Sequence, residues 1–467
     1  MQLNLTKLAS ALVLSSSLAG CAAMVRTPYE QPAVNMPSSF QNSKAANQKI
    51  HADAYADQWW TLFNDAELNQ LISQVLDANT DLAVAGINLR QARLQAGLAQ
   101  DKQGPRVSSS ASTGHNFDLN SGDDSSKGLS LSAGVSYELD LFGKLSSQTE
   151  AAKWEALATE QDLQATAQSL IATAANLYWQ LGYLNERYSV AQQNLASTQK
   201  TYDLVKVQYK AGAVSGLDLA SAEQSVQSQK AALSQIEQQK VETRTALAVL
   251  LHEPVQQLTI AEPQRLPRIA MPNIAAGLPA DLLSRRPDLQ ASELRLRKTL
   301  ANKDATKASY YPSISLTGTL GSSSTSLTQL LQNPALALGA SLSLPFLQYN
   351  DMKKDLAISD LDYEKAIIQY RQTLYQAFAD VENALSNRTE LNKQVAFEER
   401  NVQLAEKTER LTEVRYRNGA IALKNLIDAQ KTTRDARLSL VQAKQSQYNA
   451  YVTLMQALGG SPIKPLP

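Results

Sequence analysis

The sequence predicts a mainly α-helical protein with a transmembrane β part, in which one architecture occurs twice in tandem. Three observations support this fold class. Matching residues recur at a constant separation of 207 positions, and each half contains two segments that alternate apolar and polar side chains. Each half also contains a long proline-free stretch, residues 106–253 and 346–461, dominated by residues of high helix propensity.

The composition limits the possible partners. The chain has 467 residues, with 44 basic and 44 acidic side chains, so no global positive charge attracts nucleic acid and we expect no such partner. After residue 20 no run approaches the ~18–20 apolar residues of a membrane-spanning helix. If the chain crosses a bilayer, the sequence therefore predicts that it does so as β-strands.

The N-terminus is typical of a bacterial lipoprotein. Residues 1–20 are predicted to form a signal peptide, with Lys7 in its positive region and a short apolar stretch after it. The run Leu18-Ala19-Gly20-Cys21 has the spacing of a lipobox, and Cys21 is the only cysteine. We expect fatty-acyl lipid (palmitate) on Cys21, a lipidated tail over 21–58 and no other cofactor. The alternative is a stray cysteine beside an ordinary signal peptide.

The repeat divides the mature chain into two halves. The equivalences run from the N-terminal to the C-terminal part of each half: Asp81 with Asp288, Leu89 with Leu296, Pro105 with Pro312, Tyr209 with Tyr416, Gly212 with Gly419, and Leu251 with Leu458. We assign the first repeat to 59–254, a linker to 255–279, the second repeat to 280–461 and a C-terminal tail to 462–467. Each repeat begins with a helical stretch that ends at Pro105 or Pro312.

Alternating segments predict a β-hairpin in each half, over about 106–142 and about 313–346. From Leu129 to Leu141 the odd positions are apolar or aromatic and the even positions are polar or glycine, which is the period of a strand. Segments of about ten residues match a tilted transmembrane strand of ~9–11 residues. The alternative is a layer of a soluble β-sandwich, which shows the same alternation.

The proline-free stretches predict two very long helical hairpins, with turns near Gly212 and Gly419. A helix from Leu145 to Lys210 would be on the order of 100 Å long. Four strands cannot close a membrane barrel, which needs at least about eight strands. Since an open strand edge in lipid leaves costly unpaired backbone groups, several copies of the chain would have to share one barrel.

The chain resembles the TolC-like outer-membrane efflux factors, and specifically their lipoprotein branch. The resemblance covers nearly the whole mature chain and rests on several motifs in order: Trp60 to Leu82, Tyr137-Glu138-Leu139-Asp140-Leu141-Phe142-Gly143, Arg285-Arg286-Pro287-Asp288-Leu289, Tyr311-Pro312-Ser313-Ile314-Ser315-Leu316, and the turns at Tyr209–Gly212 and Tyr416–Gly419. The sequence departs from the family pattern at Lys303, Asp304 and Lys307, and at Asn425, where some relatives have an acidic residue.

The resemblance implies a homotrimer in the outer membrane of a Gram-negative bacterium. Three chains would form a twelve-stranded β-barrel that continues into an α-helical tunnel in the periplasm. The narrow end would dock a periplasmic adaptor and an inner-membrane pump. The chain would then be a passive exit duct for drugs or other toxic molecules, with a role in antibiotic resistance. The alternatives are a non-channel periplasmic tether or adaptor, and a duct for metal or protein export.

Two candidate sites follow from the resemblance, both at the helical hairpin ends. The turn residues Gly212, Ala213, Gly419 and Ala420 are the expected adaptor-docking tips, although a plain helix C-cap explains the glycines equally well. The expected periplasmic gate comprises Asp428, Asp218, Tyr209 and Tyr416. Asp218 also follows Ser215 at capping-box spacing, and Asp428 has the alternative of pairing with Lys431 or Arg434.

The sequence contains no pattern that predicts an enzyme. The three histidines, His51, His115 and His252, are far apart and lack carboxylates or cysteines at metal-ligand spacing. No glycine-rich phosphate loop is present. His252 precedes Pro254 at the end of a predicted helix, where a capping role is expected. We therefore expect no catalytic residue and no metal site.

Overall fold

The computed structural model describes residues 25–42, 58–117, 124–267, 271–272, 279 and 282–460. The expected signal peptide, Cys21 and the C-terminal tail lie outside the described residues, as does part of the linker. The chain divides into two compact units, each built from three stretches. Unit 1 comprises residues up to 34, 87–161 and 290–373, and unit 2 comprises 35–86, 162–289 and 374 onwards.

The element order repeats once along the chain. The first half contains, in order, α1 (Ala66–Ala78), α2 (Thr80–Asp101), β1 (Arg106–Phe117), β2 (Asp124–Leu139), α3 (Lys144–Lys210) and α4 (Gly216–Leu250). The second half contains α5 (Pro287–Ser309), β3 (Ser313–Ser324), β4 (Pro334–Ser343), α6 (Tyr349–Arg417) and α7 (Leu423–Ala457). Single helical turns occur at Trp59–Phe63, Val255–Gln257, Leu282–Arg285, Leu327–Gln329 and Pro345–Leu347. The predicted fold class is confirmed for the chain, which is mainly helical with four antiparallel strands.

The first helical stretch is interrupted at Asn79, a break that the sequence analysis did not predict. Asn79 has an extended backbone, and its Oδ1 accepts hydrogen bonds from the backbone N–H groups of Asp81 (2.9 Å) and Leu82 (3.2 Å). Its Nδ2 donates to the Leu250 carbonyl at 2.9 Å. Asn79 thus caps α2 and binds the end of α4, so one buried amide both starts one helix and stabilises another.

Unit 1 contains one four-stranded antiparallel sheet in the order β1-β2-β3-β4. The two predicted hairpins are joined by direct pairing of β2 with β3, in which Val135 lies opposite Gly318 and Ser136 opposite Thr317. Because facing residues share one side of a sheet, the register places most of the large apolar side chains on one side, which Ser322 and Ser324 share as the partners of Leu131 and Leu129. The predicted alternation is therefore continuous across both halves.

The two sheet faces differ sharply in chemistry. The apolar face carries large side chains that are 42–81% exposed in the single chain: Leu131, Val135, Leu316, Leu320, Leu336, Leu338 and Leu342. The other face carries mainly serine, threonine and glycine, with hydroxyl hydrogen bonds between Ser110 and Ser132 (2.8 Å) and between Ser112 and Ser130 (2.7 Å). One face is thus suited to an apolar medium and the other to water.

An extended N-terminal segment, residues 25–34, is bound along the helices of unit 1. Thr27 donates from its backbone N–H (2.8 Å) and its hydroxyl (2.7 Å) to the two carboxylate oxygens of Asp304, which is only 5% exposed. The ring of Tyr29 lies 4.4 Å from the guanidinium carbon of Arg297. The departure from the family pattern at Asp304 therefore has a structural role, because its buried carboxylate holds this segment.

The core of unit 2 is an aromatic cluster. It consists of Trp59, Trp60, Phe63, Trp179, Tyr448 and Tyr451, all at most 6% exposed, with neighbouring ring centroids 4.8–6.5 Å apart. Such edge and tilted contacts add to the stabilisation that burial provides. Elsewhere in unit 2, Arg286 donates to Asp288 (2.7 Å) and Asp380 (3.2 Å), so the Arg285–Leu289 motif joins helices through paired charges.

The last helix of each half ends in the same way. His252 follows α4 with a φ of +58°, and the equivalent Gly459 follows α7 with a φ of +97°. The backbone N–H of Glu253 donates to the Ala248 carbonyl and that of Gly460 to the Met455 carbonyl, which is the Schellman pattern of a helix end. His252 thus has the capping role expected from the sequence. None of the described helices is both long enough and apolar enough to span a membrane.

We predict that Asp304→Ala releases the N-terminal segment from unit 1. The substitution removes both hydrogen bonds of Thr27 to a buried carboxylate, each worth about 1.5–3 kcal/mol. Trypsin should then cleave after Arg26 roughly 10²–10⁴ times faster, since cleavage follows the open population and every 1.4 kcal/mol changes it about tenfold. Asp360→Ala is the control, because Asp360 is exposed and only pairs with Lys303. Equal cleavage rates in both variants would contradict the assignment.

Candidate functional site at the hairpin tips

The two helical hairpins of unit 2 turn at Gly212 and Gly419 with the same backbone geometry. Their φ angles are +74° and +70°. At the first tip the N–H of Ala213 donates to the Gln208 carbonyl (2.9 Å), and at the second the N–H of Ala420 donates to the Arg415 carbonyl (2.9 Å). A Cβ at either glycine would meet nothing within 4 Å. The glycines are therefore required by backbone conformation rather than by space, as in a helix C-cap.

The helices that leave the two tips start differently. Ser215 and Asp218 form a complete capping box at the start of α4, with the Asp218 N–H donating to Ser215 Oγ (3.2 Å) and the Ser215 N–H donating to Asp218 Oδ2 (3.0 Å). The start of α7 has Ala422 in the equivalent place, without a side-chain cap. Asp218, expected in the gate, thus stabilises a helix start in its own hairpin.

Tyr416 is buried between the two hairpins. It is 6% exposed and packs in an apolar cluster with Val205, Ala222, Leu423 and Leu426. Its hydroxyl donates to Gln208 Oε1 at 2.7 Å. Burial raises the pKa of Tyr416, and the nearby Asp218 carboxylate raises it further. Tyr416 therefore joins the first hairpin to the second within one chain.

The other two expected gate residues are exposed. Tyr209 is 46% exposed, and its ring lies 3.8 Å from the position that a Cβ on Gly216 would take. Asp428 accepts a hydrogen bond from Lys424 Nζ at 2.5 Å, whereas Lys431 pairs with Asp435. An exposed ion pair of this kind contributes little to stability.

Two contacts at the tips were not anticipated from the sequence. Lys424 lies one helical turn before Asp428, so the i,i+4 spacing contained the signal for this ion pair. No local spacing predicts the hydrogen bond between Tyr416 and Gln208, because the two residues are 208 positions apart. Among the described residues no three histidine, cysteine, aspartate or glutamate side chains are grouped to hold a metal ion.

The sequence profile described as "Outer membrane efflux protein" matches residues 71–252 and again residues 278–460. This chain belongs to the outer membrane efflux protein family. The two matches begin 207 positions apart, in agreement with a duplicated half. The family consists of outer-membrane efflux components, so the chain is an efflux protein of the outer membrane and not an enzyme.

Individual relatives agree with this assignment along nearly the whole chain. The Pseudomonas putida "pyoverdine export outer membrane protein OpmQ" is 31% identical over 460 residues, covering 96% of each chain. The "probable efflux pump outer membrane protein TtgC" of the same species is 30% identical, covering 97% of this chain and 95% of the relative. The solved structure of the "outer-membrane channel OprN" has a TM-score of 0.84 at 27% identity, covering 93% of this chain and 98% of that one.

We predict that Gly419→Ala loosens the second tip. An alanine held at positive φ costs about 1–2 kcal/mol, so amide exchange at Ala420, whose N–H bonds to the Arg415 carbonyl, should become roughly 5–30 times faster. Hydrogen exchange with mass spectrometry measures this rate. Gly97→Ala is the control, because Gly97 lies inside α2 with nothing within 4 Å of its Cβ position, and alanine favours a helix. An unchanged rate at Ala420 would refute the strain argument.

Proposed function

We propose that three copies of this chain form the exit duct of a tripartite efflux system, in which a periplasmic adaptor and an inner-membrane pump deliver the cargo. The observation that carries this proposal is the sheet of unit 1. Among the described strands, β1 and β4 each pair on one side only. An unpaired edge in lipid leaves backbone groups that cost several kcal/mol each.

Pairing β4 of one copy with β1 of the next removes every free edge. Three four-stranded sheets give twelve strands, a number within the range of closed membrane barrels. The exposed leucine-rich face would then contact lipid, and the serine and threonine face would line a water-filled passage. In this proposal passage through the duct is passive, and the inner-membrane pump supplies the driving force.

The short distance from Cys21 to unit 1 supports a lipid anchor in the same membrane. Val25 is 1% exposed, and the segment that follows it is bound to unit 1, which also contains the sheet. Three residues lie between Cys21 and Val25, so the Cα atoms of these two residues can be at most about 14 Å apart. The lipid and the sheet can therefore enter one bilayer.

The hairpin tips are the proposed docking surface for the adaptor. Ala213 and Ala420 are exposed at the two turns beside Gly212 and Gly419, so a partner backbone can approach closely. The proposed cargo is a class of small organic molecules, because similar proteins are named for pyoverdine export and for efflux pumps. Asp428, as an exposed carboxylate near the second tip, is proposed to influence cation passage.

We predict that Val135→Arg prevents assembly while Ser136→Arg does not. A cation on the lipid face near the middle of the bilayer costs about 2–4 kcal/mol per copy, and one on the water-filled face costs far less. The yield of heat-resistant oligomer in detergent and the conductance in planar bilayers measure the two effects. If both variants assemble and conduct alike, the proposed orientation of the sheet is wrong.

We also predict that the mature protein begins at Cys21 and carries lipid on its thiol. Mass spectrometry of the N-terminal peptide should show the added mass of acyl chains. Cys21→Ser behind a different, functional signal peptide should remove this mass while ion conductance remains. An unmodified Cys21, or a mature N-terminus elsewhere, would refute lipidation without affecting the proposed duct.

A further inference from the structure

The two hairpin tips share one backbone conformation but differ at the residue before the turn glycine. The first tip has Ala211 before Gly212, and the second has Asn418 before Gly419. The two turns have nearly equal φ angles and the same hydrogen bonds. Asn418 is the only asparagine in the 467 residues that is followed by a glycine. The chain therefore holds one turn twice, once with a carboxamide beside the glycine and once without it.

An asparagine followed by glycine is open to attack by the backbone of the next residue. The nitrogen of that residue can bond to the carboxamide carbon and close a cyclic imide, and a side chain on the attacking residue hinders the approach. Glycine has no Cβ and adopts backbone angles that other residues avoid. Asparagine also belongs to the thermolabile residues. The pair at the second tip is thus the chemically weakest pair of its kind in the chain.

The structure leaves this pair exposed to solvent. Helix α6 ends at Arg417, so Asn418 lies just beyond the last helical residue, and both Asn418 and Gly419 are exposed. The carboxamide of Asn418 has no hydrogen-bond partner among the described residues. A Cβ on Gly419 would meet nothing within 4 Å. Neither packing nor a side-chain hydrogen bond therefore holds the carboxamide away from the backbone nitrogen of Gly419.

The hydrogen bonds of the turn oppose the attack and set its rate. The Gly419 N–H donates to the Tyr416 carbonyl at 2.9 Å, and the Ala420 N–H donates to the Arg415 carbonyl at 2.9 Å. The Gly419 nitrogen is free to attack only when its own hydrogen bond has opened. Helix ends open locally at a low cost in free energy, and helix α7, which leaves this tip, starts without a side-chain cap. We therefore expect a slow reaction that follows the opening of the turn.

We propose that Asn418 is a site of spontaneous deamidation. The Gly419 nitrogen forms a bond to the Asn418 carboxamide carbon, the bond from that carbon to the side-chain nitrogen breaks, and ammonia leaves with the proton of the Gly419 N–H. Water then opens the cyclic imide at either of its two carbonyl carbons. One product is an aspartate at position 418, and the other is an isoaspartate, in which the main chain runs through the former side chain. The reaction needs only the chain and water, so it does not depend on the proposed exit duct.

Either product changes the second tip and leaves the first tip as it is. Both products place a negative charge beyond the C-terminal end of α6, where the helix dipole disfavours an anion. The isoaspartate also adds one carbon atom to the main chain between Arg415 and Ala420, so the hydrogen bond that joins these residues cannot keep its geometry. The modified second tip is therefore more acidic and looser than the tip at Gly212.

Peptide mapping of the purified full-length protein tests the site. After long incubation in neutral buffer, the peptide that contains position 418 should separate into asparagine, aspartate and isoaspartate forms, and enzymatic methylation identifies the isoaspartate. Digestion with pepsin at acid pH, together with a sample taken at time zero, excludes deamidation during the mapping. This peptide should be the most deamidated one in the protein. In the aged sample, hydrogen exchange should become faster at Ala420 and remain unchanged at Ala213.

Two matched variants exchange the residues of the tips. Asn418→Ala gives the second tip the residue of the first and should abolish the modification there. Ala211→Asn places the asparagine in the first turn and should introduce deamidation at position 211. An asparagine that stays intact at position 211 would contradict the claim that this turn permits ring closure, and the proposal would fail with it.

A sample unfolded in urea separates the effect of the fold from that of the sequence. If position 418 reacts in the unfolded chain but stays intact in the folded protein, the turn blocks the attack and the proposal is wrong. If other asparagines of the folded protein react faster than Asn418, the site is likewise not the one assigned. Reaction at position 418 of the folded protein, with its loss in Asn418→Ala, is the result we expect.

Discussion

The need to pair backbone hydrogen-bonding groups is the constraint on which the rest of this structure depends. The sheet of unit 1 joins the two halves through eleven opposed residue pairs between β2 and β3, from Leu129 with Ser324 to Leu139 with Ile314. That junction fixes which side of every strand is apolar, because a shift of one residue would reverse the faces. The outer edges of β1 and β4 have no partner strand among the described strands of the chain. The proposed closed barrel of several copies meets this requirement.

The two halves share one architecture, and single-residue differences change how their helices begin and end. His252 occupies the left-handed position at the end of α4 where Gly459 lies at the end of α7. The position is strained for histidine and easy for glycine, so the surrounding Schellman hydrogen bonds must hold the histidine in place. Ser215 caps α4, whereas Ala422 leaves α7 without a side-chain cap. At these positions the backbone geometry of the two halves is thus similar, whereas the side chains differ.

Local sequence patterns predicted most of the fold. The features that the sequence did not predict depend on contacts between residues far apart in the chain. Alternation predicted the strands, and the absence of proline together with a glycine turn near the middle predicted each long hairpin. The break at Asn79 was missed because its cause is a bond to the Leu250 carbonyl, 171 residues away. The hydrogen bond of Thr27 to Asp304 was missed for the same reason, because the two residues are 277 positions apart. The departure from the family pattern at Asp304 nevertheless pointed to this position. At the tips, spacing predicted the Ser215 and Asp218 box but not the contact of Tyr416 with Gln208.

The exposed surface of the single chain shows how the proposed assembly would stabilise it. Along α6 the apolar residues Ile358, Leu361, Ile368, Phe397 and Leu404 are 48–72% exposed, in addition to the leucines on the sheet. Covering apolar surface stabilises a protein by roughly 25 cal/mol per Å², and none of this gain is available to the isolated chain. If neighbouring copies cover these side chains, association stabilises the folded chain, so folding and association become linked. In the proposed assembly, the remaining apolar faces of the helices become interior when copies meet.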